Sequence, residues 1–113
     1  MATTLTQEQL NSLINDYVSK LKGKISIEQI ILYGSYAKGN ANEWSDIDLY
    51  IVSKDLPGNE LKGSNGFYLD NIVGKYDSRL EVVGINPKQL EHPVEKSFFK
   101  EVQSYGKLIN CNI

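Results

Sequence analysis

LYGSYAKGNANEWSDIDLYIV, running from Leu32 to Val52, contains the end of one strand, a tight glycine turn and the whole of a second strand. Upstream, IEQIILY (Ile27 to Tyr33) is dense in β-branched residues and stops at Gly34-Ser35, which predicts a largely buried strand running straight into a turn. Residues 35–39 have room for about one helical turn, and the polar stretch Gly39 to Ser45 reads as a loop. In DIDLYIV, Asp46 to Val52, period-two alternation places Ile47, Leu49 and Ile51 on one face of a strand and Asp46, Asp48, Tyr50 and Val52 on the other. Both aspartates therefore point the same way.

Two carboxylates on alternate residues of one strand converge on a small volume, where a cation relieves their repulsion. Oxygen ligands on a rigid element suit Mg²⁺, which takes one or two carboxylates and fills its other positions with phosphate oxygens and water. The glycine turn nearby adds the complementary part. Gly34 lets backbone N–H groups approach an anion closely, Ser35 can donate from its hydroxyl, and the following turn presents its free amides. Together these residues describe a site for a metal-bound triphosphate. Lys38 follows the turn and is either a phosphate contact or a solvated lysine. Ser45, immediately before Asp46, is either a strand-entry residue or a phosphate or ribose contact.

Outside this stretch, Thr6 and Gln9 form a capping-box pair ahead of Leu10, Leu13, Ile14, Tyr17, Val18 and Leu21, so a first amphipathic helix is expected to stop at Gly23. Ser53 to Gly66 is punctuated by Pro57 and three glycines and reads as a surface loop. Phe67 to Tyr76 has helical spacing, weakened by Gly74. Arg79 to Ile85 alternates as a third strand, with Glu81 on the opposite face from Leu80 and Val82. Asn86-Pro87 supplies a helix cap and a first-turn proline. Pro93 to Tyr105 is expected to form an amphipathic helix with Val94, Phe98, Phe99, Val102 and Tyr105 on its apolar side, closed by Gly106, and the tail from Lys107 to add a short strand.

Composition bounds the function classes. With 113 residues, 41% of them hydrophobic and 23% charged, the chain reads as a single domain over 1–113 that can hold one core. A net charge of -2 argues against nucleic-acid binding through a bulk basic surface. The lone cysteine, Cys111, allows no internal disulfide, the N-terminal residues lack a basic segment followed by an apolar core, and no apolar run reaches the ~20 residues that span a bilayer. A reducing cytoplasm, with no membrane attachment, is the expectation.

The segment LYGSYAKGNANEWSDIDLYIV resembles the signature of the polymerase-β-type nucleotidyltransferases, most closely the minimal nucleotidyltransferases often encoded beside a HEPN-domain protein. The resemblance implies an α+β fold, a small mixed β-sheet flanked by helices. It also implies that Gly34 and Ser35 hold the phosphates of a nucleoside triphosphate, ATP in the first instance, and that Asp46 and Asp48 bind two Mg²⁺ ions, usually with a third carboxylate from a later strand. Glu81 is the candidate for that third position and for general base. The family more often has aspartate there, and the extra methylene shifts the carboxylate by about an ångström.

On this resemblance the chain transfers a nucleoside monophosphate to a hydroxyl of a partner protein, a tyrosine of a HEPN-domain toxin, and acts as the antitoxin. Two alternatives stand beside it: transfer to a small molecule such as an aminoglycoside, which a homo-oligomer could accommodate across its interface, and a binding module that neutralises its partner by occlusion. Among the remaining conspicuous residues, Trp44 is read as a base-stacking or partner-contact residue or as packing. His92 is read as a loop residue, Tyr33, Tyr36 and Tyr50 as core or rim, and the adjacent Phe98 and Phe99 chiefly as core.

Overall fold

Thr6 caps α1 (Gln7–Lys22) through the reciprocal pair its sequence suggests: its hydroxyl accepts from the Gln9 amide at 3.1 Å, and the Gln9 side chain accepts from the Thr6 amide at 2.9 Å. Leu10, Ile14, Tyr17, Val18 and Leu21 are buried along one side of the helix, and Gly23 ends it. A computed structural model of the protein describes residues 4–56 and 79–109. The helix expected over 67–76, the greater part of the loop expected over 53–66, and Cys111 lie outside the described residues.

The following elements are β1 (Gln29–Tyr33), α2 (Ser35–Lys38), β2 (Ile47–Val52), β3 (Leu80–Ile85), a 3-10 helix (Pro87–Glu91), α3 (Pro93–Tyr105) and β4 (Lys107–Leu108). The four strands form one mixed sheet in the order β3-β2-β1-β4, with β1 antiparallel to β2 and β4, and β2 parallel to β3. This is the α+β architecture that the family resemblance implies. The first strand starts later than its apolar run: the Glu28 amide still donates to Val52 O at 2.8 Å, but before it the backbone pairs with side chains, the Ser26 amide donating to Asp55 Oδ2 at 2.7 Å and the Ser26 carbonyl accepting from the Ser53 hydroxyl.

Both faces of the sheet are covered, and the alternation in β2 sorts them. Ile47, Leu49 and Ile51, with Ile30 and Leu32, pack against α1. Tyr50 and Val52, with Ile31 and Ile85, pack against Val102 and Phe99 of α3. Asp48 shares the second face. Since β2 lies between β1 and β3, Asp48 does not decorate an exposed edge strand.

The apolar side of α3 is rotated from the one its sequence suggests. Val94 is 75% exposed and Phe98 37% exposed, whereas Glu95 is buried with Val102. Adjacent phenylalanines cannot share one narrow stripe. Phe99 takes the sheet-facing position, stacking on Tyr50 at 5.6 Å, and Phe98 leans across to meet Tyr33 and Tyr50 at ring separations of 5.8 Å. Ahead of α3, buried Asn86 caps the 3-10 helix and also donates to the Lys54 and Leu56 carbonyls at 3.1 and 2.7 Å. Its polar atoms are thereby satisfied, and the end of β2 is tied to the end of β3.

Tyr50 is fully buried, and its hydroxyl has no hydrogen-bond partner among the described residues. Burial, with the neighbouring Tyr33 and Glu95, pushes its pKa above the ordinary tyrosine value. An unsatisfied buried hydroxyl is destabilising, so Tyr50→Phe is expected to gain about 1 kcal/mol in urea denaturation. A loss of stability would show that the hydroxyl is engaged.

Candidate active site

Strand register sets Asp48 between two partners: Tyr33 across the antiparallel pair and Glu81 across the parallel pair. Register partners project to the same side of a sheet, so Tyr33, Asp48 and Glu81 form a row on the face that carries α3, at the end where β1 runs into Gly34. Asp46 stands one residue ahead of β2 and is exposed at its entry. The register thus brings the sequence-predicted Glu81 beside Asp48, although 32 residues separate them in the chain.

Electrostatics follow from this crowding. Burial, then the charges of Asp46 and Glu81, raise the pKa of Asp48 above the usual aspartate value. The Tyr33 phenol is pushed up to about 12, chiefly by burial and further by Asp48, Tyr105 and Glu81. Tyr33 therefore keeps its proton at neutral pH and stays a donor beside the acidic row. It is a site residue that sequence reading assigned to packing, since its place next to Asp48 depends on register and no spacing within the chain reports it.

Gly34 makes the turn at φ 72° and ψ -154°, a conformation that side chains exclude. Its carbonyl accepts from the Ala37 and Lys38 amides at 3.1 and 3.0 Å, and no side chain caps the turn. The amides of Ser35 and Tyr36 fall in the first turn of α2, where no intrahelical acceptor exists. Asp48 lies against this turn: a β-carbon at residue 34 would collide with its Oδ2.

The other candidates are placed differently. The Lys38 ammonium sits 4.6 Å from the centre of the Tyr105 ring, joining the end of α2 to the end of α3. The Ser45 hydroxyl accepts from the Asn42 amide at 2.9 Å, while Asn42 Oδ1 accepts from the Trp44 amide at 2.8 Å, so Ser45 helps close the loop before β2. Trp44, at the tip of that hydrogen-bonded turn, is 79% exposed and is not packing. His92 is an exposed junction between the 3-10 helix and α3.

Hard carboxylate oxygens beside uncapped amides have the chemistry a Mg²⁺-triphosphate requires. Among the described residues no three His, Cys, Asp or Glu side chains close into a cage by themselves. Mg²⁺ needs only one or two protein carboxylates when phosphate and water complete its octahedron, and Asp46 and Asp48, with Glu81 alongside, fit that mode. Among the described residues no helix is long and apolar enough to cross a membrane.

Comparison with known proteins gives the family and the fold. Residues 12–105 match the family described as "Nucleotidyltransferase domain". A Methanocaldococcus jannaschii protein named "putative protein adenylyltransferase" is 30% identical over 99 residues, 88% of this chain and 93% of that protein. The protein adenylyltransferase MntA of Thermococcus cleftensis is 26% identical over 98 residues, 87% of this chain and 94% of that one. A crystal structure of a toxin-antitoxin with AMP-PNP superposes with a TM-score of 0.57 at 23% identity, over 87% of this chain and 70% of that chain, and so shares the fold. The match over residues 12–105, on a chain whose four strands form one mixed sheet, makes this chain a member of the nucleotidyltransferase domain family.

Proposed function

We propose that the chain is a Mg²⁺-dependent protein adenylyltransferase that moves AMP from ATP onto a tyrosine hydroxyl of a HEPN-domain partner, as the antitoxin of a toxin–antitoxin pair. The observation that carries the chemistry is the register that puts Glu81 beside Asp48 while Asp48 rests on the Gly34 turn. The protein acceptor is supported by relatives named as protein adenylyltransferases and by a fold shared with a toxin-antitoxin structure.

In this reading Asp46 and Asp48 hold the cations, with Glu81 beside them. Bound Mg²⁺, two ions, would polarise the α-phosphate and neutralise the leaving pyrophosphate. Ser35 donates from its hydroxyl, and the Ser35 and Tyr36 amides from the backbone, to the outer phosphates. Lys38 exchanges its Tyr105 contact for phosphate. Glu81 takes the proton of the acceptor hydroxyl, whose oxygen bonds to the α-phosphorus as the bond from that phosphorus to the bridging oxygen breaks.

The test is a calorimetric titration with ATP, GTP, CTP and UTP, each with and without Mg²⁺, beside an Asp46→Ala/Asp48→Ala variant. Tight binding of ATP that needs both Mg²⁺ and the aspartates is expected. Metal-independent binding, or none to any of the four by folded protein, would sink the enzyme reading and leave a partner-binding module. Where ATP binds, incubation of labelled ATP with a co-purified partner or with an aminoglycoside separates protein from small-molecule acceptors.

A further inference from the structure

Two glycines of the described chain adopt positive φ, Gly34 and Gly39, and they differ in what surrounds them. A β-carbon at Gly39, φ 79°, would meet nothing within 4 Å. At Gly34 it would strike Asp48 three times over: on Oδ2 in outright collision, on Cγ at 3.0 Å and on Cβ at 3.3 Å. The obstacle is thus one side chain, and it is an acidic member of the site.

That side chain has little freedom to withdraw by moving its backbone. Asp48 belongs to β2, which is hydrogen-bonded to β1 on one side and β3 on the other, with Leu49, Tyr50 and Ile51 behind it fully buried. Relief would come from rotation of its carboxylate, which carries Oδ2 away from the turn by about an ångström, a displacement that costs on the order of 100-fold where placement matters.

We infer that Gly34 is a positioning residue for Asp48: the space left by its missing β-carbon is the seat of the Asp48 carboxylate, so the anion-facing turn and the cation-facing strand assemble as one unit. This deepens the cation-site reading given above and rests on it for its functional meaning. It assigns Gly34 a task separate from letting phosphate approach the backbone, and it makes carboxylate placement depend on the turn being formed.

The experiment uses Mn²⁺ alone, followed by electron paramagnetic resonance, on wild type, Gly34→Ala, Gly39→Ala, Asp48→Ala and the Gly34→Ala/Asp48→Ala double variant, with thermal melts of all five. Gly39→Ala carries left-handed strain without a collision and is expected to bind Mn²⁺ within about twofold of wild type. Gly34→Ala is expected to bind about 10–100-fold more weakly, approaching Asp48→Ala, which is the range for loss of a group that orients a ligand. The fall in Tm caused by Gly34→Ala is expected to shrink in the Asp48→Ala background, since truncation removes the obstructing carboxylate, whereas strain confined to the turn would persist unchanged. Wild-type Mn²⁺ affinity in folded Gly34→Ala, or an equal fall in Tm in both backgrounds, overturns the inference. Absence of Mn²⁺ binding by wild type overturns the cation-site reading and, with it, the functional role of the seat; the melts then decide only whether the steric coupling exists.

Discussion

Asp48→Asn is expected to lower kcat/KM for nucleotidyl transfer by on the order of 10²–10³-fold, the loss typical of removing one preorganised charge-stabilising group, while making the cation-free protein more stable at neutral pH. Both effects have one cause. Asp48 is held partly out of water, on a sheet face shared with Glu81 and close to Asp46, and its pKa is raised above 3.8 accordingly. A carboxyl whose folded pKa exceeds its unfolded value contributes stability that is complete below the unfolded pKa and disappears as pH rises through the folded one. Without cation, wild type therefore loses stability as pH climbs upward from 3.8. Asparagine keeps the shape and removes the titration, so the two proteins should melt alike in acid and diverge toward neutrality, with the variant higher. Saturating Mg²⁺ should then raise the Tm of wild type and leave that of the variant nearly unmoved, because a ligand stabilises only the state that binds it. Equal pH profiles for the two proteins would show that the acidic row carries no strain.

Gly106→Ala is expected to destabilise the fold by about 3 kcal/mol, the upper end of the cost of overpacking. The position has φ -70° and ψ 160°, ordinary extended backbone, so conformation is not the difficulty. Room is. A β-carbon would stand 2.5 Å from Ile31 Cγ2, 2.5 Å from the Val102 carbonyl oxygen and 3.1 Å from the Leu32 carbonyl oxygen. Two of these obstacles are backbone, and neither can swing aside. The Gly106 amide donates to Val102 O at 2.7 Å to close α3, and Lys107 immediately pairs with Leu32 in the sheet, so the junction is clamped from both ends. For a chain of this length, with a total stability of roughly 6–17 kcal/mol, such a loss is large. It would appear as a lower urea midpoint at unchanged slope. An unchanged midpoint would mean that β4 yields without cost, as a two-residue edge strand with no further role.

How legible the molecule was depends on the range of the interaction concerned. The Thr6–Gln9 box, the stop at Gly23, the Asn86-Pro87 cap and the bounds of α3 are contacts within a few residues, and each was readable because the partners are neighbours in the chain. The rotation of α3 was not, since its spacing accommodates either stripe and packing against the sheet puts Phe99 on the covered side while Phe98 stays more exposed and Val94 faces outward. The apolar count favoured burying Val94, yet buried Glu95 takes a place near Tyr50. Ser45 stood open between two uses, and its hydroxyl goes to the Asn42 amide, a bond that any short Asn-to-Ser loop can make. Trp44 and Lys38 were open for a different reason: an exposed tip and a long cationic side chain take their contacts from whatever the tertiary fold brings near, here solvent for one and Tyr105 for the other.

Among the described residues, the sequence by itself determined the main helices and strands, the sorting of β2 into one face with Leu49 and Ile51 and another with Asp48, Tyr50 and Val52, and the turn that must be glycine, because alternation, capping and backbone sterics act over a few residues at most. Only the tertiary structure decided that Glu81 pairs with Asp48, that Tyr33 flanks it with its proton retained, that the Asp48 carboxylate fills the space beside Gly34, and that Gly106 is pressed between β1 and α3. Those facts depend on register and close approach between segments distant in the chain. Hydrogen bonding between strands and close packing set such contacts, and no local pattern of residues contains them.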